Sequence, residues 1–368
     1  MTPLRTSPHV APLLLALTLA LPVSGLAQET LPDSTVGRRR IQPLPALGSA
    51  PETGLQYGAT VFAVFERPRM QHSRPAALTA SALRTAKGQT RLSAEGEHWT
   101  VGNSRRVAGT LAWQKFPLPY YGIGDSTPET SKEIYSQRGV EGTVSVQQRI
   151  VRSLYGLASL RLVSQTITPD SAGALRSSGL EGIDGGRSVE LAFGALDDTR
   201  DNLFAPSTGR FVQLTYSRAE DAFGSDFSYG RLRLDARAYR ALGGRGTLAA
   251  QVVGVAVDGS APFDALALVG GSDIMRGYPR GRYRDRLFTG AQAEYRSPSW
   301  HRVGGVVFGG AGFVAERAGS LMDGTMLPTY GAGLRVTIDP AQRTAVRADY
   351  GRGRDGNSGL YIGFNQAF

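Results

Sequence analysis

Five arginines fall within one short stretch, GGSDIMRGYPRGRYRDR at 270–286: Arg276, Arg280, Arg282, Arg284 and Arg286. A guanidinium stays charged at any ordinary pH, so it does not trade protons as an acid or base. Its chemistry is recognition, because its planar fork grips carboxylates in bidentate geometry. The stretch has too little apolar side chain to form a core. It nevertheless lies between segments that read as ordinary strands. The chemistry it offers is therefore to fasten a loop to acidic groups elsewhere in the chain.

Groups that would make or break bonds are scarce. There is no cysteine, which excludes thiolate metal sites. Past the leader described below, the histidines are His72, His98 and His301. None lies in a G-x-S-x-G elbow or an H-E-x-x-H helix. No acidic calcium loop or histidine pair points to a metal. GAGFVA at 310–315 fits a dinucleotide pattern, but ERAGSLMDGTMLP follows it, where a helix N-terminus would have to sit under the pyrophosphate. We therefore expect no catalytic residue, metal or cofactor.

The elements that would position such a loop come next. The chain has 368 residues and a net charge of +10. Its arginines are spread along the whole length, which argues against a nucleic-acid patch. Arg5, the apolar run 11–23 and the small residues Gly25 and Ala27 read as a signal peptide over 1–27, cleaved near Ala27. Residues 28–53 are polar and proline-rich, and we read them as a short periplasmic lead, too short for a folded domain. From Gly54 onward, segments of about ten residues alternate in polarity between glycine, proline, aspartate and serine breaks.

The alternation is clearest at 231–239. Arg231, Arg233, Asp235, Arg237 and Tyr239 share one face, and Leu232, Leu234, Ala236 and Ala238 the other. At 329–339, Tyr330, Ala332, Leu334, Val336 and Ile338 oppose Gly331, Gly333, Arg335, Thr337 and Asp339. At 288–296, Gln292, Glu294 and Arg296 share a face. Charges on every second residue suit a barrel whose apolar face meets lipid and whose charged face lines a wet interior. We expect an all-β protein, a transmembrane antiparallel β-barrel over 54–368.

Fifteen strands can be marked, from 54–65 to 358–367. A barrel with both ends in the periplasm needs an even number, so one is missing. The last segment, GLYIGFNQAF, puts Leu360, Ile362, Phe364 and Phe368 on one face and ends on an aromatic. Bacterial outer-membrane barrels finish in this way, which marks Phe364 and Phe368 as an assembly signal.

Several short motifs, in order, resemble the BamA/TamA-type outer-membrane superfamily, also called bacterial surface antigens. Gly271, Asp273, Met275, Arg276, Gly277 and Tyr278 match the tip of that family's sixth extracellular loop, with methionine in place of the usual valine. LDDTRDNLFAPSTG at 196–209 resembles its periplasmic turn, through Asp198, Arg200, Asp201, Pro206 and Gly209. PYYGIGDST at 119–127, GAQAEYRSP at 290–298 and RADYGRG at 347–353 also resemble family stretches. The resemblance implies sixteen strands and a loop 270–286 folded into the lumen. It implies that Arg276 pairs with acids on the following strands, here Glu294 and Asp349. Gly310 stands where the family usually has another acid.

By the same resemblance, the function is to assist insertion of proteins into the outer membrane or translocation across it, in a Gram-negative-type cell. The expected partners are outer-membrane lipid and an unfolded or secreted polypeptide client. POTRA domains, which receive clients in full-length relatives, have no room in 28–53, so a separate periplasmic partner is a further expectation. The competing readings are a passive, anion-favouring porin and a structural surface-antigen barrel. An enzymatic barrel comes last.

Overall fold

The computed structural model describes residues 39–65, 74–169, 173–340 and 343–368. The expected signal peptide lies outside them, as does the first part of the lead assigned to 28–53. The described chain forms β1 (Arg39–Ala50), β2 (Gly54–Phe65), β3 (Ala76–Thr85), β4 (Thr90–Trp99), β5 (Arg105–Tyr120), β6 (Glu133–Val151) and β7 (Leu154–Pro169). It continues with β8 (Gly185–Asp198), β9 (Gly209–Ala219), β10 (Tyr229–Ala241), β11 (Thr247–Gly259), β12 (Ala267–Leu268) and β13 (Arg284–Asp285). It ends with β14 (Leu287–Arg296), β15 (Val303–Ala315), β16 (Leu327–Asp339), β17 (Thr344–Gly353) and β18 (Ser358–Phe364).

Sixteen of these strands close an antiparallel up-and-down barrel, in which β11 pairs directly with β14 and β1 meets β18. Strands β12 and β13 form a small ribbon within the β11–β14 connection. Closure leaves no backbone edge facing lipid except where the first and last strands meet.

The side-chain pattern inverts that of a soluble core. Along β9, Phe211, Gln213, Thr215 and Ser217 are buried while Val212, Leu214 and Tyr216 are exposed. Along β14, Phe288, Gln292, Glu294 and Arg296 are buried and Tyr295 is exposed. The outer wall is apolar and the inner wall polar, as a membrane-spanning barrel requires.

Two sequence expectations need correction. The lead does not run to residue 53, because 39–50 is β1, the missing sixteenth strand, and the barrel starts there rather than at Gly54. Pro43 and Pro45 hide it, since proline normally marks a break. Here both sit at the closing edge, where a missing N–H costs no neighbour a bond. The last strand stops at Phe364 and not at residue 367. Asn365 takes a left-handed φ of 60°, a conformation asparagine tolerates better than most residues. Phe368 therefore leaves the outward face and is buried.

The closing seam is the weak point of the wall. The β1–β2 ladder runs through every residue of β1. β1 and β18 share one register position, Ser49 opposite Ile362. Gly359 and Gly363 further weaken β18, which is also the shortest barrel strand.

Candidate functional site: a buried arginine at the centre of the barrel

The β11–β14 connection leaves one mouth of the barrel, and its segment 269–283 packs inward. Val269, Met275, Tyr278 and Tyr283 form a cluster with Phe288, Val314 and Leu327. Arg276 is fully shielded from solvent. Its Nη2 donates to Glu294 Oε2 at 2.7 Å and its Nη1 to Asp349 Oδ2 at 2.8 Å. The two carboxylates come from the inner faces of β14 and β17. The Phe308 ring of β15 lies 3.5 Å from the guanidinium carbon, a close cation–π contact. A charge this deep is tolerable only because both acids and the ring compensate its lost hydration.

The backbone at the loop tip touches the wall directly. Gly277 has a φ of 111°, and a Cβ there would lie 2.6 Å from the Arg352 carbonyl carbon. Across the contact, a Cβ on Gly351 would lie 2.7 Å from the Arg276 carbonyl carbon. Two glycines thus allow backbone to meet backbone. Gly277 N–H donates to Tyr361 Oη at 2.9 Å, and that hydroxyl donates to the Tyr278 carbonyl at 3.0 Å. Thr329 Oγ1 donates to the Arg276 carbonyl. Tyr278 Oη donates to the Pro328 carbonyl at 2.8 Å. Gly271 also needs a left-handed φ, 120°, but faces open space. Asp273 lies 3.5 Å from Arg347 Nη2.

Where the family usually carries another acid, Gly310 has no room for one. A Cβ there would sit 2.8 Å from the Gln292 Cβ. Gln292 uses the space to donate to the Asp273 carbonyl at 2.5 Å and to Gln251 Oε1 at 2.7 Å.

The ion pairs continue beyond Arg276. Glu294 Oε1 accepts from Arg296 Nε at 2.8 Å, and Asp349 Oδ1 accepts from Arg335 Nη1 at 2.5 Å. Arg347 Nη1 also reaches Asp349. Arg296 goes on to donate to the Pro206 carbonyl at 3.1 Å and to Phe368 O at 2.8 Å. The inner faces of β10, β14 and β16 are legible in the alternation. Phe308, Thr329 and Tyr361 carry no sequence signal of their own, because their roles depend on which strands the loop tip lands against.

The turn motif folds around two carboxylates. Arg200 clamps Asp198 through Nε at 2.9 Å and Nη2 at 2.8 Å, and stacks on Phe211. Asp201 accepts from the N–H groups of Ser207 and Thr208, from Ser207 Oγ and from Arg343 Nη1. Partial burial would raise its pKa, but these four donors together bring it well below the ordinary carboxylate range. Gly209 has a φ of 96°, and a Cβ would lie 2.3 Å from the Thr199 carbonyl oxygen. Phe364 lies half-buried at the end of β18, while Phe368 packs inside against Tyr239 with ring centroids 6.5 Å apart. The structure therefore does not hold the two aromatics on one outward face.

The mouth that the β11–β14 connection leaves is capped by stacked arginines of that same connection. Arg282 lies between Tyr121 and Tyr283, at 4.6 and 4.4 Å from their ring centroids. Arg284 lies between Tyr120 and Phe263, at 5.0 and 5.5 Å. The 119–127 stretch is thereby locked to the arginine-rich loop. Below the cap a cavity of about 600 Å³ remains, lined by Arg91, Glu95, Arg161, Glu190 and Arg231 among others. Among the described residues no cluster of histidine, aspartate and glutamate could hold a metal ion.

A family model described as the Omp85 superfamily domain matches residues 80–368. No curated protein sequence matches the chain. Among solved structures, BamA from Haemophilus ducreyi lacking POTRA domains 1–3 aligns with a TM-score of 0.61 at 13% identity, covering 90% of this chain and 70% of that one. CdiB from Acinetobacter baumannii aligns at 0.55 and 12% identity, over 90% of this chain and 66% of that one. CdiB from Escherichia coli aligns at 0.64 and 11% identity, over 91% and 63%. The chain thus spans about two thirds of the length of these proteins, and at such identities the likeness is one of fold.

Proposed function

The chain belongs to the Omp85 superfamily, and we propose that it assists insertion of polypeptides into the outer membrane or their passage across it. Omp85-family barrels are outer-membrane proteins of Gram-negative bacteria, act on polypeptide clients and are in general not enzymes. For this chain we assign no catalytic residue. The lead is signal-directed, the client is an unfolded or secreted polypeptide, and a separate periplasmic partner delivers it. The loop 270–286 serves as a lumen plug pinned by Arg276.

The observation that carries this reading is the seam. A single shared register position between β1 and β18 leaves most of β1's outer edge without a strand partner. Such an edge templates an incoming strand by main-chain hydrogen bonding. The porin alternative has no comparable observation: the inner wall is crossed by buried ion pairs and one mouth is capped.

The test uses purified protein in lipid vesicles and an unfolded outer-membrane barrel protein as the probe client. Ser49→Cys with Ile362→Cys, oxidised, locks the seam at its register position. Accelerated probe insertion that disappears on oxidation and returns on reduction is expected. Insertion that is unaffected by the lock contradicts the seam mechanism, and no acceleration at all contradicts the insertion role.

A further inference from the structure

The apolar outer wall of β9 is bracketed by two arginines. Val212, Leu214 and Tyr216 are exposed on the lipid face, and Arg210 and Arg218 stand on that same face at either end of them. The two ends differ in charge. Arg218 is neutralised by Glu220 and Asp258, and the same β9–β10 connection carries Asp221 and Asp226. At the other end Arg210 pairs with Asp197 at 2.8 Å and still stays 65% exposed. Arg240, which ends the outward row Leu232, Leu234, Ala236 and Ala238 on β10, is exposed, as is Arg245 in the β10–β11 turn. Among the described residues neither guanidinium has a hydrogen bond or an ion pair. This is the end of the barrel that holds the 199–208 turn, which the resemblance makes periplasmic.

Register gathers these groups into one patch. Arg210 lies opposite Ala238, so Arg240 is its diagonal neighbour on the same face, with Cβ atoms about 7–8 Å apart. Arg240 lies opposite Leu248, and Leu248 opposite Tyr295. Tyr295 Oη donates to the Arg245 carbonyl at 2.7 Å, which draws the turn against this row. The next row toward the bilayer centre is Ala238, Ala250 and Ala293, side by side on three strands. Trp300, 79% exposed in the adjacent β14–β15 turn, ends the patch.

We propose that Arg210, Arg240 and Arg245 bind the headgroup phosphate of an anionic glycerophospholipid in the periplasmic leaflet, with its acyl chains over the three alanines. Guanidinium N–H groups suit phosphate oxygens. A zwitterionic headgroup brings its own cation, which the arginines repel, so the patch selects for net negative lipid. A soluble anion has no use for the apolar row beneath the arginines. The inference rests on the outer-membrane placement of the barrel and not on its client, so its failure is separable from failure of the insertion role.

The test uses the full barrel in phosphatidylcholine vesicles, with Trp300 as the reporter. Trp99 is buried inside, and Trp113→Phe removes the other indole on the wall. Phosphatidylglycerol or phosphatidylcholine with brominated acyl chains is added in increasing fraction, since bromine quenches an indole it touches. Quenching should show a preference for phosphatidylglycerol on the order of tenfold. Arg240→Gln with Arg245→Gln should bring the preference close to one. Arg105→Gln with Arg152→Gln, two exposed arginines at the same end of the barrel on other strands, should leave it unchanged. Heat-modifiable migration on gels verifies that each variant is a folded barrel. Equal quenching by the two lipids, or none by either, overturns the site. Equal loss of preference in both double variants overturns its location, because net charge alone would then attract the lipid. Binding of a polyglutamate peptide that needs Arg240 and Arg245, without a lipid preference, overturns the lipid assignment in favour of an acidic protein partner.

Discussion

Arg276 and Glu294 meet at 2.7 Å with both side chains sealed from solvent, although one comes from a loop and the other from the barrel wall. The pair is half of a clamp, since Asp349 takes the other end of the same guanidinium. Two carboxylates on strands three apart in the wall are bridged by a residue from a connection that enters through the mouth. The loop consequently braces β14 against β17 across β15 and β16.

Removing one partner of this clamp should be costly, because the survivors remain buried with their charge uncompensated. Asp349→Asn or Glu294→Gln should lower unfolding stability by about 3–5 kcal/mol. Glu316→Gln, which breaks an exposed pair with Arg317, should change it by less than about 1 kcal/mol. Denaturant midpoints of the refolded barrel in vesicles compare the two. Equal, small effects would mean that Arg276 is held by packing and not by its acids.

Gly277 should tolerate substitution less well than Gly271, although both have left-handed φ values. At Gly271 an alanine meets nothing and carries only conformational strain, about 1–3 kcal/mol. At Gly277 the same strain is joined by a clash with the Arg352 backbone, which cannot step aside. Gly277→Ala should therefore expose the loop to protease in the folded barrel, and Gly271→Ala should not. Equal cleavage of both would show that the tip does not depend on this close approach.

Much of this arrangement can be read from the chain, and the exceptions have physical causes. Period-two alternation survives in β10, β14 and β16 because one face meets lipid and the other a polar interior, so the inner-face position of Glu294 is legible, whereas Asp349 on β17 enters through the resemblance. β1 is not legible, because IQPLPALGSA contains two prolines, which a strand accommodates only where their side of the backbone has no partner to serve. The inward turn of 365–368 rests on one left-handed asparagine, and no side-chain pattern announces it. Phe308 under Arg276 and Tyr361 under Gly277 depend on the register of four strands relative to one loop. That is a long-range property no local window contains.

The Asp201 turn should make stability respond to acid. Its folded pKa is depressed, so its contribution is complete above the ordinary carboxylate value near 3.8 and declines as pH falls below it toward the folded value. Asp201→Asn should be destabilising at neutral pH, and the gap to the wild type should narrow below about pH 4. Denaturant midpoints measured at neutral and acid pH check this. A gap that widens in acid would mean that the protonated form is the one the turn binds.

Conductance of the refolded barrel in a planar bilayer tests whether the clamp closes the lumen. Arg276 is the only loop residue that holds both Glu294 and Asp349 among the described residues, and its guanidinium fills the space between β14 and β17 above Phe308. The wild type should give small, flickering currents. Arg276→Ala releases the tip while leaving Glu294 paired with Arg296 and Asp349 with Arg335, so the wall itself stays charge-balanced. Its currents should become larger and unstable as the loop samples positions outside the lumen. A large, steady current in both proteins would instead mean that water and ions pass beside a seated loop, and the barrel would then be a pore with an arginine-lined, anion-favouring interior.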